Sequence, residues 1–270
     1  MQLVSPLKII DSHFHVWDLQ EQTLDWLNAS DDVATLRRSF SIEELVDEYR
    51  KVPDVALEGL IHIEADTTDS SVEDHKILTL MEQVPALIGS VTHKRLTETI
   101  SVASDFVGVR EVLHNSDIPR GRCLQDSFLQ GLEALADQNT VFEAVIREEE
   151  LSDLFRACAT VPKANVVLNH CGNVSRLDDQ YIQAIESLAA LPNVYCKISG
   201  LPADQPQFSQ KVLGLLESTF SREKLLYASN WPVVKLNSNV QENLELLRSF
   251  FGDDADVFSH NAQRVYKLKG

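Results

Sequence analysis

The sequence predicts an α/β fold, a (β/α)8 barrel, and three observations predict it. Eight short apolar runs, rich in Val and Ile, are spread along 270 residues. The runs are mostly unalternated, as strands buried on both faces are. Segments of helical period separate them, and strands joined by crossover helices pair in parallel. The length suits one such barrel, with residues 1–270 as a single domain. A doubly wound open sheet has the same alternation and is the alternative.

The strand runs are 7–10, 57–63, 86–91, 106–112, 141–146, 164–168, 194–198 and 225–229. The first helix is predicted over 41–52, where Ser41 and Glu44 stand at capping-box spacing. Ser70 and Glu73 repeat that spacing at the head of 70–84. Helices are also predicted over 94–104, 124–138, 148–160, 178–190 and 207–220. Ser238 and Gln241 open the last one, in which Val240, Leu244 and Leu247 share a face. The longest irregular stretch, 18–40, follows the first strand, so in a barrel it lies over the catalytic mouth like a lid.

Composition excludes several function classes. Hydrophobic residues make up 44% and charged residues 24%, which supports a large core. Lys plus Arg number 24 against 41 Asp plus Glu, a formal net charge of −17. A field of that sign opposes binding to nucleic acid along an extended surface and docking on anionic membranes. The four cysteines, Cys123, Cys158, Cys171 and Cys196, form no CxxC pair and read as free thiols of a reducing compartment. No signal peptide and no long apolar run is visible, which points to the cytoplasm.

In a barrel the chemistry belongs at the C-terminal strand ends. Those ends carry His13 and His15, then Glu64, then His93 and Lys94, then Arg110 and Glu111. The later ends carry Glu143 and Arg147, His170, Lys197 and Ser199, and finally Asn230 and Trp231. Residues two apart on an extended strand point to the same side. His13 and His15 therefore present two imidazoles to one space, where they can share a metal ion or hold two oxygens of a substrate. His170, in "VVLNHCGN", supplies a third from another strand.

The segments "DSHFHVWD", "VGVRE", "NVYCKISGL", "YASNWPV" and "NAQRVYKL" follow one another in that order from end to end of the chain. In them the sequence resembles the amidohydrolase-related lactonases, the group that includes fuconolactonase, rhamnonolactonase and pyrone dicarboxylate lactonase. The resemblance implies a distorted TIM barrel that hydrolyses lactones. It implies that His13 and His15 are the first-strand site pair, that His170 is the site histidine of a later strand, and that Arg110 faces the substrate. Members carry one divalent metal, such as Zn or Mn, or none. The expected partner is therefore a small molecule, a sugar-acid lactone or an anionic compound. Homo-oligomer formation is compatible with the pattern and not specified by it.

One position departs from the family. The last strand ends in "ASNWP", where the lactonase pattern has "GSDWP", so Asn230 replaces the acid that would activate water or bind metal. An amide accepts no proton at ordinary pH, though it can orient a water or donate to a carbonyl. Losing a general base costs about 10²–10⁴-fold in rate if nothing replaces it. His170 is one replacement, since imidazole titrates near neutrality. A metal on His13, His15 and His170 is a second and also explains why the first two histidines sit together. Glu64 or Glu143 reaching in is a third.

Arg110 either grips a substrate oxygen or pairs with Glu111 or another acid. Arg147, in "IREEE", is expected to pair with those acids. Lys197 either binds substrate or is satisfied by a carboxylate in the wall. Trp17 and Trp231 can stack on a sugar-like ring or simply pack. The expected activity is lactone hydrolysis. The alternatives are a metal-dependent decarboxylase and a degenerate barrel that only binds its ligand.

Overall fold

A computed structural model describes residues 5–268. Eight parallel strands run in the order β1 to β8: β1 (Leu7–Phe14), β2 (Val55–Ile63), β3 (Leu87–His93), β4 (Gly108–Val112), β5 (Val141–Val145), β6 (Val166–Leu168), β7 (Val194–Ile198) and β8 (Leu225–Tyr227). Each predicted run contains or overlaps one of them. The open sheet is excluded by the seam between β1 and β8. There the Asn230 amide donates to the His13 carbonyl at 2.9 Å and the His15 amide to the Trp231 carbonyl at 2.7 Å. Lower down the seam, side chains replace the ladder. Ser12 Oγ donates to the Tyr227 carbonyl at 2.6 Å, and the Asp11 carboxylate accepts from the Ser229 amide, the Ser229 hydroxyl and Tyr49. The barrel is distorted because this edge closes through short polar side chains.

The barrel interior is layered. Ile10, Ile61, Val141, Val167 and Leu226 form an apolar floor, closed from below by Ala262, Val265 and Tyr266 of the C-terminal segment. One step up, Glu143 and Lys197 form a fully buried ion pair at 2.8 Å. Asn169 and the Tyr266 hydroxyl also donate to Glu143. The two-residue period of a strand separates these layers: Val141 lies in the floor, Glu143 in the polar layer and Val145 at the mouth. Outside the barrel, Leu45, Ile77, Leu132, Leu154, Ile185, Leu213 and Leu244 bury helix faces against the sheet.

Most predicted helices are present, as Ile42–Arg50, Ser70–Gln83, Asp126–Asp137, Leu151–Thr160, Asp179–Ala190, Pro206–Thr219 and Val240–Phe251. The Ser41–Glu44 capping box forms. The other two openings differ. Asp69, not Ser70, caps the second helix, and Glu73 turns away to accept from the Ala65 amide at 2.8 Å. Asn239, not Ser238, caps the last, accepting from the Glu242 amide at 2.9 Å. No helix forms over 94–104. That segment is short of helix formers, with Thr97, Thr99, Ser101 and Val102, and neighbouring side chains take over its backbone groups. Glu111 accepts from the Leu96 amide, Arg122 donates to the Leu96 carbonyl, and Gln138 bonds both Val102 and Ile100. The helix Asp126–Asp137 lies directly on it at Gly131, where a Cβ would stand 2.7 Å from the Leu96 Cβ.

The stretch 18–40 contains two 3-10 turns, Asp25–Asn28 and Asp31–Leu36, and is tied at its base by reciprocal amide bonds between Trp17 and Phe40. All four cysteines are free and buried. Among the described residues no helix is long and apolar enough to cross a membrane.

Candidate active site

A cavity of about 280 Å³ opens at the C-terminal mouth of the barrel, between His15, Arg110, His170 and Asn230. Trp26 from the 18–40 stretch and Asp66, just beyond β2, complete its polar wall; Val112, Val145 and Val233 make the apolar side. The loop after the first strand thus does cover the mouth, through Trp26.

His13 and His15 meet as the two-residue spacing predicts, Nε2 to Nε2 at 3.2 Å. His13 also lies against His170, with ring centroids 4.5 Å apart. The protons in this group follow from their partners. His15 Nδ1 lies 2.8 Å from the Ile63 carbonyl, which only accepts, so Nδ1 carries the proton and Nε2 a lone pair. His13 must then donate from Nε2 and accept at Nδ1, where the Lys197 ammonium stands at 3.4 Å. Glu143, Lys197, His13, His15 and the Ile63 carbonyl therefore form one continuous hydrogen-bonded chain.

Burial keeps these imidazoles neutral. It lowers His13 and His170 well below the usual histidine value, helped at His13 by Lys197 and at His170 by Arg110. The same burial, with Arg110 close by, takes His15 down to about 3. Lys197 is lowered to about 8 by burial, against the pull of Glu143.

His170 reaches the cavity on an unusual backbone. His170, Cys171 and Asn173 have φ of 50°, 53° and 55°, and Gly172 has 77°, a full turn of left-handed conformation. Such a conformation costs roughly 1–2 kcal/mol per non-glycine residue. Fixed bonds offset the cost: Tyr181 donates to the Cys171 carbonyl at 2.6 Å and Asn173 to the Ile146 carbonyl at 2.8 Å. The turn rotates the ring inward, with Nδ1 held 2.8 Å from Ser199 Oγ, and leaves Nε2 toward the cavity. Gly200, at φ 69°, makes room for it: a Cβ there would stand 3.1 Å from the His170 Cβ.

Asn230 is also left-handed, at φ 56°, a conformation Asn tolerates better than most residues. Its Oδ1 is buried without a hydrogen-bond partner. Arg110 pairs with Glu64 through Nε and with the Glu64 carbonyl through Nη2, which leaves both Nη1 hydrogens and one on Nη2 to donate. Burial alone would raise the Glu64 carboxyl, but Arg110 and His93 outweigh it and hold the group well below the usual range.

Four predicted site residues, the fully buried His13 among them, lie off the cavity wall. Trp231 is fully buried behind it, packed edge-on against Phe40 at 5.4 Å with its indole donating to Glu48 at 3.1 Å. Lys197 sits in the polar layer beneath, and Glu64 is engaged by Arg110. Glu143 is likewise held inside the barrel, so neither acid is free to replace the one missing at position 230. Glu111 faces outward and pairs with Arg122 at 2.7 Å, not with Arg110. Arg147 pairs with Glu150 at 2.7 Å, as expected.

Asp66, His114 and Trp26 are wall residues that the strand-end reading missed. Asp66 and His114 stand two or three positions past β2 and β4, so counting the first loop residues as strand ends would have found them. Asp66 is the one carboxylate among the described residues lining the cavity.

Three ligand atoms come within 4.8 Å of one another at Glu64, Asp66 and His93; among the described residues His13, His15 and His170 do not form such a group. His93 Nδ1 is buried with no hydrogen-bond partner and lies 3.6 Å from the Glu64 carboxylate, which raises the His93 pKa. Two carboxylates, one imidazole and an orphaned nitrogen among them suit a divalent cation.

The sequence profile of the amidohydrolase family matches residues 10–268. The chain belongs to the amidohydrolase family. Its solved relatives include amidohydrolase 2 from Bifidobacterium longum subsp. infantis, 36% identical, with a TM-score of 0.88 over 97% of this chain and 100% of that one. An amidohydrolase from Burkholderia multivorans, solved with bound zinc, shares the fold at a TM-score of 0.84 and 21% identity, over 97% of this chain and 99% of that one. An L-fucono-1,5-lactonase from Burkholderia ambifaria is 24% identical over 286 residues, 96% of this chain and 95% of that protein. This amidohydrolase is thus a hydrolase with the distorted TIM barrel that its sequence motifs imply.

Proposed function

We propose that this amidohydrolase opens a sugar-acid lactone by attack of water on the ring carbonyl. The observation that carries the reading is the convergence of a neutral His170, a free Arg110 donor and an unpartnered Asn230 oxygen on one small cavity. Lactonase relatives supply the substrate class.

Each residue then has a task. Asn230 Oδ1 accepts a hydrogen bond from the attacking water and aims its oxygen at the carbonyl carbon. In the tautomer whose Nδ1–H donates to Ser199 Oγ, His170 Nε2 carries the lone pair that takes the water's other proton. Arg110 Nη1 donates to the oxygen that gains charge in the tetrahedral intermediate. The ring C–O bond breaks, and His170 returns its proton to the leaving alkoxide. A hydroxy acid results, with no redox change. Glu64, Asp66 and His93 would hold a divalent cation beside the cavity, where it would supply Lewis-acid chemistry.

Lys197 and Glu143 act at a distance. Their ion pair fixes the His13 tautomer, and His13 backs the ring of His170.

The test is a panel of aldonolactones followed by proton release, with and without chelator. Ring opening that liberates one proton per lactone, above the spontaneous rate, supports the reading. Release of carbon dioxide from a carboxylated substrate, with no lactone opened, would replace it by decarboxylation. Tight lactone binding without turnover would leave a binding barrel.

A further inference from the structure

Beside the catalytic cavity lies a second, larger groove of about 560 Å³. It shares Trp26, Asp66 and His114 with the cavity, so the two adjoin across these three side chains. The inner cavity falls just short of the ~300–1,000 Å³ typical of small-ligand sites, and the groove extends it well into that range. We infer that the groove is a second sugar subsite, and that the preferred substrate is an aldonolactone carrying a neutral glycosyl substituent. This rests on the lactone reading of the inner cavity.

Rigidity is the first support. Trp26 is fixed between the two spaces: its indole donates to the Ala65 carbonyl at 2.9 Å, and its ring stands edge-on to Trp17 at 5.7 Å. An aromatic ring fixed in this way gives a sugar ring a flat apolar face at little entropic cost. The opposite wall is pinned as well. Asn115 donates to Asp66 at 2.8 Å, and Arg147 donates to the carbonyls of Asn115 and Ile118.

Charge selects the ligand. Asp25, Asp66 and Asp117 line the groove, and among the described residues no Lys or Arg lines it. Carboxylates there accept from sugar hydroxyls and repel an anionic substituent. Thr67, Thr68 and Ser116 add hydroxyl groups that donate or accept. Of the sugar-acid lactone and the anionic compound that the sequence left open, the groove therefore suits the neutral, hydroxyl-rich ring.

The experiment compares gluconolactone with galactosyl-gluconolactone, and the matching pair of lactams, which bind without opening. Wild-type protein is expected to show kcat/KM at least tenfold higher for the galactosyl lactone and a tenfold lower Kd for the galactosyl lactam. Ser116→Trp, at an exposed position in the groove wall, should bring both ratios toward one. Ratios near one in the wild-type protein, or ratios that survive Ser116→Trp, overturn the subsite. Should neither lactone be opened while the lactam ratio and its loss persist, the reaction assignment fails and the subsite stands.

Discussion

Replacing Lys197 by Met removes a cation that is wholly buried against Glu143. The pair lies 2.8 Å apart with neither side chain exposed, and only Asn169 and Tyr266 remain to hold the Glu143 carboxylate once the ammonium is gone. Breaking a buried pair from one side costs about 3–5 kcal/mol, because it strands a charge in a low-dielectric interior. The double variant Lys197→Met/Glu143→Gln strands no charge, so it should be more stable than Lys197→Met alone. A second signature comes from pH. Burial lowers Lys197 to about 8 in the folded protein, against 10.5 for a free lysine. Between those values the unfolded chain binds a proton that the folded chain does not, so this group makes stability rise with pH. The rise amounts to about 3 kcal/mol, at roughly 1.4 kcal/mol per pKa unit. Below pH 8 the lysine is charged in both states and contributes no slope. Urea unfolding of wild-type and Lys197→Met protein across this window isolates the effect as a difference, because the other groups titrate in both. A loss under 1 kcal/mol in Lys197→Met, or strict additivity in the double variant, refutes the buried-pair argument.

Further outcomes follow from the same geometry. His170→Gln should lower kcat about 10²–10⁴-fold with the thermal midpoint held within a few degrees, measured by initial rates and calorimetry. Gly200→Ala should destabilise by roughly 1–2 kcal/mol, since alanine resists a φ of 69° and its methyl crowds His170; activity should fall with it. His13, His15 and His170 are all depressed by burial. Their stability contribution is complete above the unfolded histidine value near 6.5 and is lost as pH falls below it, since the unfolded chain protonates first. Denaturant midpoints from pH 7.5 to 4.5 should drop by an amount that shrinks in His15→Phe.

The strands and most helices were legible in the sequence because their cause is local. A buried parallel strand is an unbroken apolar run, and an amphipathic helix repeats its apolar face every three or four residues. The helix expected over 94–104 failed for the opposite reason: its backbone partners are Glu111, Arg122 and Gln138, none of them near in sequence. Ser70 and Ser238 were misread as caps because Asp69 and Asn239 beside them do the same work.

At the site the same division holds. The pairing of His13 with His15 needed nothing beyond the period of a strand, and their meeting with His170 followed once eight strands closed into a ring. Which acid faces the cavity was decided elsewhere. Glu64, Glu143 and Asp66 look equally available in the chain, yet Arg110 engages the first and Lys197 the second. Only Asp66, carried past the strand end on a left-handed residue, lines the cavity wall. A charge in the interior goes to whichever opposite charge the closed barrel brings within reach. Those partners are 46 and 54 residues away along the chain, so only the folded structure could assign them.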